Sequence, residues 1–291
     1  MRFTLRQIEV FLETAKQQNI SSAASALAMS QSAASGALKS LEERYGVQLF
    51  DRIGKRLQLN EMGRNLRPRA QAVHDQATQL HDELTGSKGA SALTIGATLT
   101  IGNYLAVDLM AKHLRANPEA QLKLHVANTE NIAAGLLNLE LDVALLEGEV
   151  QHRDLDLIEW QSDELLVFAS PDHPLANKTS LNDSDLQSAC WILREPGSGT
   201  RQTFDRAMHG LLPTLDVFME LEHTEAIKRA VEANLGLSCL SAICLAPALE
   251  RGDVVALNVP HRDLSRNFYI GLHRQKQRSR AIEDFLLSCN A

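Results

Sequence analysis

Apolar positions in the first 60 residues follow two rhythms. In "TLRQIEVFLETAKQQN", Leu5, Ile8, Val10, Phe11 and Leu12 recur at helical spacing, which predicts a helix that packs beneath whatever follows. The stretch "ISSAASALAMSQSAASGALKSLEERYG" is almost all small residues at first, yet it carries helix punctuation. Ser21 or Ser22 caps one helix running to about Ala28, with Ala24, Leu27 and Ala28 inward; Ser30 caps a second starting at Gln31, with Ala34, Leu38 and Leu41 as its buried stripe. Small residues let the two helices approach closely, as in a helix-turn-helix, and leave Gln31, Ser32, Ser35 and Lys39 on the opposite face. An alanine-rich helical hairpin with a solvated polar face is the plainer alternative. In "GVQLFDRIGKRLQLN" the rhythm changes to alternation on either side of Gly54, which predicts a two-stranded hairpin with Arg52, Lys55 and Arg56 at its tip.

From Asn60, which can serve as its cap, one long helix is predicted. Leu66, Ala70, Val73, Ala77, Leu80 and Leu84 form a heptad seam, which calls for a partner helix unless the helix packs on its own domain. Pro68 lies near the amino-terminal end and bends the helix without abolishing it. "TGSKGASA" then reads as a hinge. Beyond it, "ALTIGAT", "QLKLHVAN", "DVALLEG", "ELLVFAS", "CWILRE", "LDVFMEL", "LGLSCLS", "DVVALNV" and "FYIGLHR" are short strand patterns with helical stretches among them. They predict an α/β domain with largely parallel sheets.

Composition narrows the class. With 44% hydrophobic and 22% charged residues the chain is globular. No signal peptide or membrane-spanning run is evident, so a cytoplasmic location and no membrane partner are expected. Cys190, Cys239, Cys244 and Cys289 are scattered and read as reduced thiols; no metal site or cofactor is expected. The net charge of −7 hides an asymmetry: residues 1–69 hold eleven Lys/Arg and six Asp/Glu, or +5, leaving 18 against 30, or −12, for the remainder. A basic head on an acidic body suggests polyanion binding by the head, since Lys and Arg displace the counterions condensed on phosphates.

The residues "LRQIEVF", the paired Ala23 and Ala24, the "SQSA" opening of the second helix, "LEERYGVQLFDR" and "NEMGR" occur in an order and spacing that strongly resemble the LysR-type transcriptional regulators. Within that family, "WILREPGSGTR", "TIGNYL", "EAIKRAVEANLGLSCLS" and "HRQKQRS" resemble the branch of YeiE-, CysL- and CbbR-type regulators. The resemblance implies an α plus α/β architecture in three parts. Residues 1–60 form a winged helix-turn-helix DNA-binding domain, and 61–87 a dimerising linker helix with hinge. Residues 88–291 form an effector-binding domain of two periplasmic-binding-protein-like subdomains joined by crossing strands. The first subdomain is placed near 91–163 and 266–291, the second near 164–265. Candidate DNA contacts are Ser21, Ser30, Gln31, Ser32, Ser35 and Lys39 on the helices, with Arg52, Lys55 and Arg56 on the wing. Gly36 departs from the family pattern, where a longer, often basic side chain is common, so no contact carries over from that position. The expected partners are duplex DNA at an inverted-repeat promoter site, a second copy of the chain in a homodimer or homotetramer, and RNA polymerase.

Ligands of open α/β sheets sit where strand ends lead into helices. Thr98 and Thr100, then Asn128 and Thr129, then Gly197, Ser198, Gly199, Thr200 and Arg201 stand at three such places. Helix amino termini rich in hydroxyls and glycines favour anions. The expected effector is therefore a small oxyanion; the resemblance makes sulfite the first choice, and a phosphorylated metabolite the alternative. Glu147 would face the same cleft and repel an anion unless it is protonated or bonded to a neighbour, and Arg194 or Arg201 adds charge if either turns inward. "PGSGT" is not a G-x-S-x-G elbow and no triad completes around Ser198, so no catalytic residue is assigned. An enzyme or a solute-binding protein stays as the remote alternative.

Overall fold

Thr4 opens the first helix through a capping box with Gln7, and the computed structural model describes residues 2–54, 56–85 and 92–289. Contacts divide the chain into two compact units, Met1–Ser91 with Arg274–Ala281 and Ala92–His273 with Ile282–Ala291.

In the first unit α1 (Leu5–Gln17), α2 (Ile20–Ala26) and α3 (Gln31–Tyr45) surround Val10, Phe11, Ala34 and Leu41, followed by the antiparallel hairpin β1 (Phe50–Ile53) and β2 (Arg56–Leu59). The cap of α2 differs from the expectation. Asn19, not a serine, accepts from the Ser21 and Ser22 N–H groups at 2.8 and 3.1 Å, and the helix ends at Ala26. An Asx side chain just ahead of the helix reaches both free amides, which leaves the serines free to face outward. Ser30 caps α3 through the Ala33 N–H. Helix α4 (Glu61–Thr85) starts after Asn60, whose side chain accepts from the Gly63 N–H at 2.9 Å. Its seam is divided: Leu66 and Ala70 pack on the winged-helix core, whereas Val73, Leu80 and Leu84 are 40%, 56% and 78% exposed. The amino-terminal turns therefore serve their own unit, and the later seam is left bare. Most of the proposed hinge lies outside the described residues.

The second unit opens with β3 (Ala92–Thr98), α5 (Leu99–Tyr104), α6 (Ala106–Ala116), β4 (Gln121–Ala127), α7 (Thr129–Leu137) and β5 (Val143–Glu147). The long β6 (Leu155–Ala169) leads to α8 (Asp183–Ser188), β7 (Cys190–Arg194), α9 (Gly199–Ala207) and β8 (Asp216–Leu221). There follow α10 (Thr224–Glu232), β9 (Ser238–Ser241), α11 (Ala242–Arg251), β10 (Val255–Leu257), β11 (Ser265–His273) and α12 (Arg280–Cys289). Parallel pairing holds for β3 with β4 and β5, and for β7 with β8. The sheets are less parallel than the sequence suggests, because β6 runs antiparallel to β11, β9 and β10, and β11 runs antiparallel to β5. β6 runs out from the elements around β5 and β11 runs back to them, which is why β6 extends well upstream of the "ELLVFAS" run. Separate apolar cores lie on either side of the crossing, one under α7 and β5 and others around Trp191 and Phe204 and around Phe168 and Ile227.

Candidate functional site

Two sites emerge, one in each unit. In the first, the stripe Ala34, Leu38 and Leu41 turns one face of α3 into the core, so Gln31, Ser32, Ser35 and Lys39 are exposed on the other. A groove of about 290 Å³ is lined by Asn19, Ser21, Gln31, Arg52 and Gly54, which joins the helices to the wing. Gly54 turns the hairpin at φ 61°, a conformation favourable to glycine, and Arg52 and Arg56 are exposed beside it. Lys55 lies outside the described residues. Ser30 is spent on its cap and on a 3.1 Å contact with the Ser32 hydroxyl, and Lys39 pairs loosely with Glu43 at 3.5 Å. An exposed polar helix face flanked by arginines can present amides and hydroxyls to base edges and cations to phosphates.

In the second unit the expected helix starts converge, but around a carboxylate of the protein itself. Glu147 ends β5 fully buried, and its Oε1 accepts from the Thr100 N–H at 2.6 Å and the Ile101 N–H at 3.2 Å, the open amides of α5. Its Oε2 accepts from the Thr100 hydroxyl at 2.8 Å and the Thr200 hydroxyl at 3.4 Å, and stands 3.0 Å from Arg266 Nη1. Burial pulls the Glu147 pKa upward. The Arg266 charge and the donors from Thr100, Thr98 and Ile101 outweigh that pull and hold it below the ordinary carboxyl value. Arg266 Nε in turn donates to Asp163 Oδ2 at 2.7 Å, while Asp163 Oδ1 accepts from the Ser241 hydroxyl at 2.8 Å. Arg266 Nη1 and Nη2 also donate to the Thr200 and Thr100 hydroxyls at 3.0 and 3.4 Å. The cluster thus holds two carboxylates and one guanidinium.

The other expected residues brace this cluster. Thr98 Oγ1 accepts from the Glu147 N–H at 3.1 Å and donates to the Leu145 carbonyl. Thr129 Oγ1 donates to the Glu147 carbonyl at 3.0 Å and accepts from the Gly199 N–H at 3.0 Å. Asn128 caps α7, Ser198 caps α9 and the Gly197 carbonyl accepts from the Glu130 N–H. A Cβ on Gly199 would stand 2.1 Å from the Glu147 carbonyl oxygen, so only glycine permits this approach. In this arrangement the hydroxyls of Thr98, Thr129 and Ser198 bond within the protein, and those of Thr100 and Thr200 lie against the charged groups. Arg201 turns away to Asp205 and Glu220 at 2.9 and 2.5 Å, and Arg194 forks onto Glu195.

Arg266 and Asp163 are the residues that the sequence reading missed. Both carry a signal: Arg266 shares the inward phase of Phe268 and Ile270, and Asp163 that of Leu165 and Val167, so each is a charge at a core position of an alternating strand. The register of β6 and β11 places them directly opposite one another. Among the described residues no group of three or more His, Cys, Asp and Glu is placed to hold a metal, and no helix is long and apolar enough to cross a membrane.

Two family models match the chain. Residues 5–64 match the model for the bacterial regulatory helix-turn-helix protein, lysR family, and residues 87–291 the model for the LysR substrate binding domain. The chain is 41% identical over 290 residues to the uncharacterized HTH-type transcriptional regulator YeiE of Escherichia coli strain K12, covering 100% of this chain and 98% of that one. The structure of a full-length OxyR variant from Pseudomonas aeruginosa has the same fold, with TM-score 0.75, 24% identity, and coverage of 99% of this chain and 95% of that one. The CcmR regulatory domain of Synechocystis PCC6803, solved in complex with 2-PG, superposes with TM-score 0.64 at 28% identity over 68% of this chain and 95% of that one.

Proposed function

The chain belongs to the LysR family of transcriptional regulators, and from that premise we propose that a small oxyanion, with sulfite the first choice, binds at the Glu147–Arg266 cluster and thereby modulates DNA binding. The observation that carries this reading is the coordination of the Glu147 carboxylate. An oxyanion already sits at the start of α5, held by two backbone amides, two threonine hydroxyls and a guanidinium. The same donors suit an incoming anion of similar size. The anion's entry has a condition. With Asp163 and Glu147 against Arg266 the cluster carries one net negative charge, so the ligand must displace Glu147 from α5 or bring a proton that bridges it to Glu147. Hydrogen sulfite can bring that proton.

A second reading, an effector with a phosphoryl group on a small organic acid, is favoured by the likeness to the CcmR domain solved with 2-PG. A cavity of about 440 Å³ lined by Gln202, Arg206, Asn267 and Tyr269 adjoins Arg266 and gives such a tail room. Further parts of the proposal concern assembly and place. The bare end of the α4 seam pairs chains into dimers, and these into a homotetramer. The exposed faces of α3 and the wing then read an inverted repeat in duplex DNA, with RNA polymerase as a further partner. The regulator works in the cytoplasm and catalyses no reaction.

Calorimetry on the full chain with sulfite, sulfate, thiosulfate, phosphate and phosphorylated sugars tests the effector. Sulfite is expected to bind most tightly and to change the affinity for promoter DNA in a mobility-shift assay. Binding of none of these anions, or binding unaffected by changes at Thr100, Thr200 and Arg266, would remove the reading.

A further inference from the structure

Helix α5 has a job at each end. Its first turn receives the Glu147 carboxylate, and its last residue, Tyr104, crosses to α10 in the other subdomain. The Tyr104 hydroxyl donates to Glu225 Oε1 at 2.6 Å, and the same carboxylate oxygen lies 2.6 Å from Lys228 Nζ. Lys228 Nζ also donates to the Tyr104 oxygen at 3.1 Å and sits 5.7 Å from the centre of the Tyr104 ring. The lysine side chain is 9% exposed, and it donates further to the Cys244 carbonyl at 3.3 Å. Glu225, Lys228 and Cys244 all belong to the second subdomain. The receptor is thus assembled within that subdomain, and Tyr104 is the group that the first subdomain brings to it.

A second set of contacts joins Glu149, just past β5, to α9. The Gln202 amide exchanges two bonds with the Glu149 backbone at 3.0 and 3.1 Å, and Arg206 meets Glu149 at 3.1 Å with both side chains about half exposed. Exposed pairs of that kind add little. Tyr104 instead meets Lys228, which is 9% exposed, beside Glu225, which is 64% exposed; its bonds to both are charge-assisted, and the one from the lysine is the one kept from solvent.

We propose that Tyr104 is a positioning residue for the effector: its hydroxyl, docked on Glu225 and Lys228, holds the two subdomains closed and keeps the first turn of α5 at the ion cluster. The inference rests on the cleft being the effector site. Six residues of helix span roughly 9 Å, so α5 moves as one piece and loss of the dock at its end shifts Thr100 at its start. A ligand that binds the closed form loses apparent affinity in proportion to the fraction of molecules that are open.

The test uses the full chain with Tyr104→Phe, Glu225→Ala and the double variant. Tyr104→Phe leaves the ring over Lys228 and leaves the ammonium its carboxylate and carbonyl, so the subdomain keeps its fold. Hydrogen exchange is followed at the amides of α5 and α10, and calorimetry is run with sulfite and with phosphate. Faster exchange at both helices without ligand is expected, slowed again by saturating anion, together with a loss in affinity of about tenfold, the worth of one charge-assisted bond. The double variant should lose no more than the single ones. Wild-type exchange in Tyr104→Phe, or additive effects in the double variant, would overturn the latch. Failure of every anion to bind the wild type would remove the cleft reading, while the exchange measurement would still decide the latch.

Discussion

Arg266 and Asp163 face each other across the two strands that join the subdomains, paired in register and bonded at 2.7 Å with both side chains 1% exposed. A buried pair costs desolvation on both sides, so breaking it from one side is worse than removing it altogether. Arg266→Met should destabilise the second unit by about 3–5 kcal/mol, since it leaves Asp163 and Glu147 uncompensated. Arg266→Met combined with Asp163→Leu should recover part of the loss. Denaturant melts of the single and double variants decide it; a double variant no better than Arg266→Met would show that the pair is not the source of the cost.

The depressed pKa of Glu147 has a direction in pH. A carboxyl with a lowered folded value contributes stability that is fully present above its unfolded value, near 4.5, and is lost as pH falls through the lower folded value. The melting temperature of the second unit should therefore drop as pH is lowered from about 5 toward 3, and Glu147→Gln should flatten that part of the profile. A profile unchanged by the substitution would show that other carboxylates dominate.

The same residue makes anion binding pH-dependent. Glu147 stays ionised near neutral pH because its pKa is lowered, so displacing it alone should leave affinity flat there. A ligand that carries a proton to bridge it to Glu147 should instead bind more tightly as pH falls through the range where the free anion takes up that proton. Glu147→Gln should abolish the extra proton uptake measured by calorimetry in buffers of different ionisation enthalpy. Equal proton uptake in both proteins would refute the linkage.

Thr200→Ala removes a hydroxyl that lies between Arg266 and Glu147. It should weaken anion binding by about 1–2 kcal/mol. DNA binding without effector should survive, because the winged helix-turn-helix has its own core around Phe11 and Leu41. An unaltered dissociation constant in a folded variant would place the anion elsewhere.

In the first unit, Arg52→Ala or Arg56→Ala should weaken binding to every duplex and reduce the salt slope, whereas Gln31→Ala or Ser32→Ala should chiefly change sequence preference. Fluorescence anisotropy with specific and random duplexes at several salt concentrations separates the two classes. Equal losses on both duplexes for both classes would reverse the assignment.

What the sequence determined by itself was everything carried by local rhythm and punctuation. The 3.6-residue stripe on α3, the alternation around Gly54, the Asn60 cap and the Ser198 start of α9 are short-range patterns, and each is legible because its physics lies within one or two turns of chain. The cap of α2 was misplaced by only a few positions, since Asn19, Ser21 and Ser22 compete for the same amides. Tertiary structure decided what occupies the cleft. Glu147 and Thr100 are 47 residues apart, Asp163 and Arg266 103 apart, and Tyr104 and Lys228 124 apart. Whether a helix start stays open for a ligand or is filled by the protein's own carboxylate depends on strand register across such separations. No local pattern carries that register; it follows from how β6 and β11 cross between two cores, which puts Arg266 between two acids and turns three separate loops into one charged cluster.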